Sequence, residues 1–213
     1  MYRWQTPQCG HCRGTCSPNR GNPRGSGHPQ TSRYWSRVEK DFHTMSLTTT
    51  VKDEVLGLPD APPSTRLAEL TTILRFGGGL HLVGGKLAVE VELDHAGSAQ
   101  RVRHLTHILM GVPSTSKVIP ANANKKVETI RVLVTEGADQ LALNTGLLDT
   151  RRRPVRGLPN KLTTAPIGDL VGVLRGAFLA RGIVSDPGRS QTIEIVAPTN
   201  EAAMALVGAC SRC

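Results

Sequence analysis

Apolar positions in the middle of the chain recur first at a helical and then at a strand period. From Ser64 to Phe76, Leu67, Leu70, Ile73 and Leu74 fall at helical spacing, and Gly77-Gly78-Gly79 stops the pattern, which predicts one amphipathic helix. The period then drops to two. Leu80 to Val83 and Lys86 to Leu93 flank the pair Gly84-Gly85, the length and composition of a tight hairpin turn. Leu87, Val89, Val91 and Leu93 share one strand face, expected to be buried, while Lys86, Ala88, Glu90 and Glu92 share the other, expected to be wet. A helix with Val102, Leu105, Ile108 and Leu109 ends at Gly111. A strand near Lys117 to Ile119, a strand from Val127 to Val134 and a short helix near Ala138 to Leu143 complete the unit. Ahead of it, Thr50 is placed to cap a short helix carrying Val51, Val55 and Leu56.

After the loop DTRRRPVRGLPNKLTTA the pattern restarts. Pro166 stands at a first helical position, and Ile167, Leu170, Leu174, Ala177 and Phe178 share one stripe before Gly182. Ile183-Val184, the turn Ser185-Asp186-Pro187-Gly188, a strand from Gln191 to Val196 and a helix from about Thr199 repeat the opening order. The predicted class is α+β, with one complete αββαββα repeat and an incomplete second one. Three segments are expected: a basic extension over 1–48, the first repeat with its inter-repeat loop over 49–165, and the truncated second repeat over 166–213. Gly172, Gly176 and Ala180 recur every fourth residue on the second long helix, as Ala68 and Thr72 do on the first. Small side chains at that spacing let two helix backbones approach closely. An interior helical glycine costs about 1 kcal/mol without such a contact, so the two helices are expected to pack together.

Charge is unevenly placed. The net charge is +9, and residues 1–44 hold 7 Lys/Arg against 2 Asp/Glu. That segment is rich in Gly, Pro, Ser and Arg, lacks either periodicity and is read as disordered. No apolar run approaches the roughly 18 residues of a membrane helix, and no secretory h-region opens the chain, so the expected compartment is the cytoplasm. Cys9-x-x-Cys12 with His11 and Cys16, and Cys210-x-x-Cys213, have zinc-ligand spacing. The first set lies in the disordered-looking segment, and both are read as free thiols, with no metal or cofactor expected. Basic residues also collect in the inter-repeat loop at Arg151, Arg152, Arg153 and Arg156, with Lys125, Lys126 and Arg131 in the first repeat. The loop arginines are candidates for contact with nucleic acid or an acidic partner. No aromatic interleaves them for base stacking.

Two helices that each run into a glycine and then a hairpin, with Gly78 and Gly182 at equivalent places, resemble the LAGLIDADG homing-endonuclease fold. Three blocks, LAELTTILRFGGGLHLVGGKLAVEVELD (67–94), TGLLDTRRRPVRGLP (145–159) and RGAFLARGIVSDPGRSQTIEI (175–195), resemble the amino-terminal part of the WhiA family. The resemblance spans about Thr49 to Ala209 and leaves the first 44 or so residues and the final CysSerArgCys without a counterpart. It implies a transcription regulator of cell division, sporulation and chromosome segregation, associated with the nucleoid. It also implies that promoter DNA is contacted by a helix-turn-helix domain that follows the two repeats and is absent from this chain. A protein partner in the transcription machinery is a further expectation.

A LAGLIDADG nuclease carries an acidic residue at the end of each motif helix, where the two carboxylates hold divalent cations against the scissile phosphates. The matching positions are Gly77 and Arg181. Glycine supplies no ligand and arginine repels a cation, so no catalytic residue is assigned and the chain is read as no enzyme. Asp169 at the opposite helix end is explained by the helix dipole and Asp186 by its turn. Glu90 and Glu92 on the polar sheet face oppose DNA docking. His81 is read as a half-buried sheet residue. A residual DNA endonuclease and a zinc-stabilised nucleic-acid-binding module are the competing readings.

Overall fold

The two long helices lie side by side, and the remaining elements are arranged around them. A computed structural model describes residues 46–121, 127–185 and 192–213. The first repeat comprises α1 (Leu47–Leu56), α2 (Pro63–Gly77), β1 (Gly78–Val83), β2 (Lys86–Leu93), α3 (Ala96–Met110), β3 (Thr115–Ile119), β4 (Thr129–Val134) and α4 (Ala138–Asn144). The short α5 (Asn160–Thr163) leads into α6 (Ile167–Arg181), β5 (Gly182–Val184), β6 (Ile193–Ile195) and α7 (Asn200–Cys210). The extension expected over 1–48 lies outside the described residues as far as residue 45. Its last residues do not: Ser46 caps α1, its hydroxyl accepting from the Thr49 N–H at 3.3 Å, so Thr50, expected as the cap, sits inside the helix. The turn expected at Asp186-Pro187-Gly188 and the basic pair Lys125-Lys126 also lie outside the described residues.

The first sheet is antiparallel throughout, in the order β1-β2-β4-β3. Gly84 and Gly85, at φ 58° and 75°, form the β1-β2 turn, which needs positive φ at both central positions. Val89, Val91 and Leu93 of β2 are buried as the alternation predicts, together with Val132 and Val134 of β4, Val102 and Leu105 of α3 and Leu141 of α4. Two expectations fail locally. Ile108 is exposed, and Ala88 on the other face of β2 is fully buried. The second sheet has the two described strands β5 and β6, with Gly182 opposite Ile195.

The contact between α2 and α6 is the most extensive between any two described elements. The helices run parallel, Thr65 beside Asp169 at one end and Phe76 beside Arg181 at the other. A side chain at Gly172 would run into the Thr65 carbonyl, and a Cβ at Gly176 would stand 2.5 Å from the Glu69 carbonyl and 3.0 Å from Thr72 Cβ. These glycines are therefore required by backbone proximity rather than being weak points of an exposed helix. The seam also holds a charge. Glu69 is 0% exposed and takes two hydrogen bonds from Arg101 of α3, at 2.9 and 3.2 Å, with Arg175 of α6 at 3.7 Å. The bond to Glu69 raises the Arg101 guanidinium above its ordinary pKa against the opposing effect of burial, and Asp60 adds to the same cluster.

Helix α1 straps the two repeats together. Lys52, 1% exposed, reaches Asp94 at 2.7 Å, and Asp53 meets His95 Nε2 at 3.2 Å. The Thr48 hydroxyl donates to the Val184 carbonyl at 3.2 Å and accepts from its N–H at 2.9 Å. Replacing Gly176 by valine is expected to lower unfolding free energy by about 3 kcal/mol, because overpacking a close contact costs on that order. Gly208 lies in α7 with open space around it. There Gly208→Ala should raise stability by about 0.5–1 kcal/mol. Urea unfolding midpoints of the two variants, moving in opposite directions, check both.

Candidate functional site

The ends of α2 and α6 are where a LAGLIDADG nuclease converges its carboxylates. Gly77 is buried, and a Cβ there would lie 2.8 Å from Val91 Cγ2 and 3.1 Å from Leu93 Cδ2. That direction leads into the core beneath the sheet and away from its polar face. At Gly78 a side chain would strike the Glu90 carbonyl, so that position cannot take over the role. Arg181 is exposed, and its Nε donates to the Phe76 carbonyl at 3.3 Å, setting a cation at the carboxyl end of α2. Asp169, at the other end of α6, accepts from the Thr65 hydroxyl at 3.0 Å. Among the described residues no three His, Cys, Asp or Glu side chains are grouped to hold a metal ion. Cys210 and Cys213 are exposed thiols, and partial burial followed by the nearby Cys213 pushes the Cys210 thiol up. Cys9, His11, Cys12 and Cys16 lie outside the described residues.

The outer face of the first sheet carries both signs of charge. Arg131 of β4 meets Glu90 and Glu92 of β2, each at 2.9 Å, and stands opposite Lys117 of β3. The hydrogen bond to Glu92, then the charge of Glu90, raises the Arg131 pKa. Arg131, expected to join the basic group of the inter-repeat loop, is thus engaged on the sheet. His81, expected to be half-buried, is exposed on β1 opposite Ala88.

Three of the four loop arginines are gathered by a small hairpin whose organiser sequence reading missed. Leu148 bridges Pro154, the Asp149 N–H donates to the Arg153 carbonyl at 2.9 Å, and the Val155 N–H donates to that of Leu147 at 3.0 Å. Inside the turn, Asp149 Oδ1 accepts from the Arg151 and Arg153 N–H groups, both at 2.8 Å, and its Oδ2 takes the Arg153 guanidinium at 2.8 Å. These bonds hold Arg152 at φ 59° and push Arg151, Arg152 and Arg153 outward as one exposed tip. The available signal was the Asp itself, a residue that caps turns two positions on. Arg152 lies 3.6 Å from Asp139. Arg156 stands apart from the tip, in the wall of an open groove of about 680 Å³ that runs beside the hairpin, and its charge helps to lower the Glu201 pKa after that residue's backbone and Thr199 hydrogen bonds. Leu143, Leu148, Val155, Leu158 and Pro159 form its apolar surface.

Hydrogen bonds from the Arg153 backbone and side chain, and then from the Arg151 backbone, hold the Asp149 carboxyl below its ordinary pKa. Its contribution is therefore complete above the unfolded value of about 3.9 and is lost as pH falls through the lower folded value. The Arg151 and Arg153 amide resonances are expected to keep their hydrogen-bonded shifts at pH 4 and to lose them on further acidification. In Asp149→Ala those shifts should be absent at neutral pH.

Residues 63–148 match a family model described as the WhiA N-terminal LAGLIDADG-like domain, and residues 170–213 match one described as the WhiA LAGLIDADG-like domain. A probable cell division protein WhiA of Clavibacter michiganensis subsp. michiganensis is 52% identical over 168 residues, covering 79% of this chain and 52% of that protein. The protein of the same name from Frankia alni is 48% identical over 166 residues, covering 78% and 51%. The chain spans about half the length of these relatives. Among solved structures, the N-terminal LAGLIDADG domain of DUF199/WhiA superimposes with a TM-score of 0.57 at 16% identity, over 78% of this chain and 74% of that one. Full-length DUF199/WhiA from Thermatoga maritima gives 0.59 at 16% identity, over 79% and 50%. At that identity the two structures speak for the fold alone.

Proposed function

From the premise that this chain belongs to the WhiA family of cell division proteins, we propose that its LAGLIDADG-like fold is a non-catalytic regulatory scaffold in a DNA-binding transcription regulator. The processes it serves are cell division, sporulation and chromosome segregation. The observation that carries the reading is the pair of helix ends: Gly77 faces Val91 and Leu93, and Arg181 is bonded to the Phe76 carbonyl. Metal-assisted phosphodiester hydrolysis needs carboxylates at both places, and this geometry offers a core contact and a cation instead. In this reading promoter DNA is bound by a helix-turn-helix domain outside the two repeats, at the nucleoid in the cytoplasm. The repeats position that domain and meet a protein of the transcription machinery, and the loop arginines are the repeats' own contact with nucleic acid or an acidic partner. No described helix is long and apolar enough to cross a membrane.

Two measurements test this. The double variant Gly77→Asp, Arg181→Asp is expected to leave supercoiled plasmid intact in millimolar magnesium, because the first new carboxylate would be aimed at Val91 and Leu93. Cation-dependent nicking would overturn the scaffold reading. In fluorescence anisotropy the chain should bind promoter and scrambled duplexes equally and weakly, with dissociation constants on the order of 10⁻⁴ to 10⁻⁶ M at physiological salt. Tight binding that prefers one duplex and survives added salt would mean that the repeats themselves read DNA.

A further inference from the structure

The arginine hairpin and the groove beside it form one surface, and their chemistry selects among the partners left open above. Half of the charge on the four loop arginines is paired. Arg153 is held by Asp149, and Arg152 lies 3.6 Å from Asp139. The charge of Arg156 acts on Glu201 without an ion pair between them, so among the described residues Arg151 and Arg156 are the two loop arginines that no carboxylate holds. A duplex presents a negative charge every 1.7 Å or so, and its non-specific affinity comes from neutralising several phosphates together. A surface with two unpaired guanidinium groups is poorly matched to that demand. Phe76 and Phe178, the only Phe, Tyr or Trp side chains among the described residues, are buried and unavailable for base stacking.

The groove supplies what a duplex does not use. Leu143 is 37% exposed at its rim, with Leu148, Val155 and Leu158 behind it, so an apolar side chain of a partner can enter beside Arg156, while Asp149 and Thr150 of the wall lead directly into Arg151 at the hairpin tip. Behind the groove, the Arg75 guanidinium donates to the carbonyl of Gly146, a lining residue, at 3.4 Å, and its buried Nε has no partner. Burial lowers the Arg75 pKa. A guanidinium nonetheless keeps its proton in proteins, so the groove is backed by a cation that no carboxylate among the described residues pairs. Apolar lining, a cation behind it and a guanidinium at its lip are complementary to a peptide that joins an apolar anchor to carboxylates.

We infer that this groove, with the Asp149-organised hairpin as its lip, docks an acidic segment of a partner protein through one apolar anchor residue, and that the arginines serve protein docking rather than DNA docking. The inference rests on the scaffold reading and names the class of partner that the scaffold meets.

The test uses the full chain and a displayed library of random dodecapeptides. Selected peptides are expected to combine several Asp or Glu with one bulky apolar residue. A labelled peptide of that composition should bind at least tenfold more weakly to Leu143→Asp and to Arg151→Glu, each checked to melt at the parent temperature. The same peptide with its apolar residue changed to serine should lose affinity for the parent chain to a similar degree. Failure to select acidic-apolar peptides would overturn the proposal. So would binding that Arg151→Glu weakens and Leu143→Asp leaves intact, with a 20-base-pair duplex competing as well as the peptide, since charge alone would then account for it. The scaffold reading stands or falls separately, on plasmid nicking and duplex preference.

Discussion

Everything in the architecture depends on the backbone-to-backbone approach of α2 and α6. Parallel helices place like ends of their dipoles together, which is unfavourable unless the ends are complemented. Asp169 supplies negative charge at the amino-terminal end, and Arg181 supplies a cation at the carboxyl-terminal end. Between them the glycines remove the side chains that would hold the helices apart, and the seam closes over Glu69. A carboxylate withdrawn from water needs charged hydrogen-bond partners, so closing this seam obliges α3 to deliver Arg101. The helix pair thereby fixes the first sheet through α3 and the second through β5, which leaves α6 directly.

The elements that could be read from sequence are those whose causes are local. The helical stripes, the Gly84-Gly85 turn, the Gly182 boundary and the glycine spacing on α6 each follow from neighbours a few residues away. Three placements that the sequence does not show have distant causes. Lys52 is buried because Asp94 receives it, Arg131 leaves the basic group because the register brings it to Glu90 and Glu92, and Ser46 displaces Thr50 as cap because Thr48 is needed inside the helix to reach Val184. Of the candidate site, the two degenerate positions could be located from the ends of the helical patterns. The direction of Gly77 into the core could not, since it depends on which strand face lies beneath it.

The distribution of charge fits a fold maintained apart from nuclease chemistry. Three carboxylates satisfy a helix end, a buried guanidinium and a turn, each with a hydroxyl or cationic partner: Asp169 with Thr65, Glu69 with Arg101, Asp149 with Arg153. On the outer sheet face, Arg131 between two glutamates leaves a surface of mixed sign. Such a surface gives no long-range attraction to a polyanion, so selectivity in this part of the molecule resides in short-range shape and pairing.

The clasp between Thr48 and Val184 joins positions 136 residues apart. On the ribosome, at about 5–20 residues per second, roughly 7 to 27 s separate the synthesis of one from that of the other. Through that interval α1 can rest on α3 and on Asp94 and His95, but the Thr48 hydroxyl has only water to bond. Closure of the clasp is thus a late event of synthesis, reached only after the whole of α6 has been made, and it turns the first described helix into a check that the second repeat has begun to form.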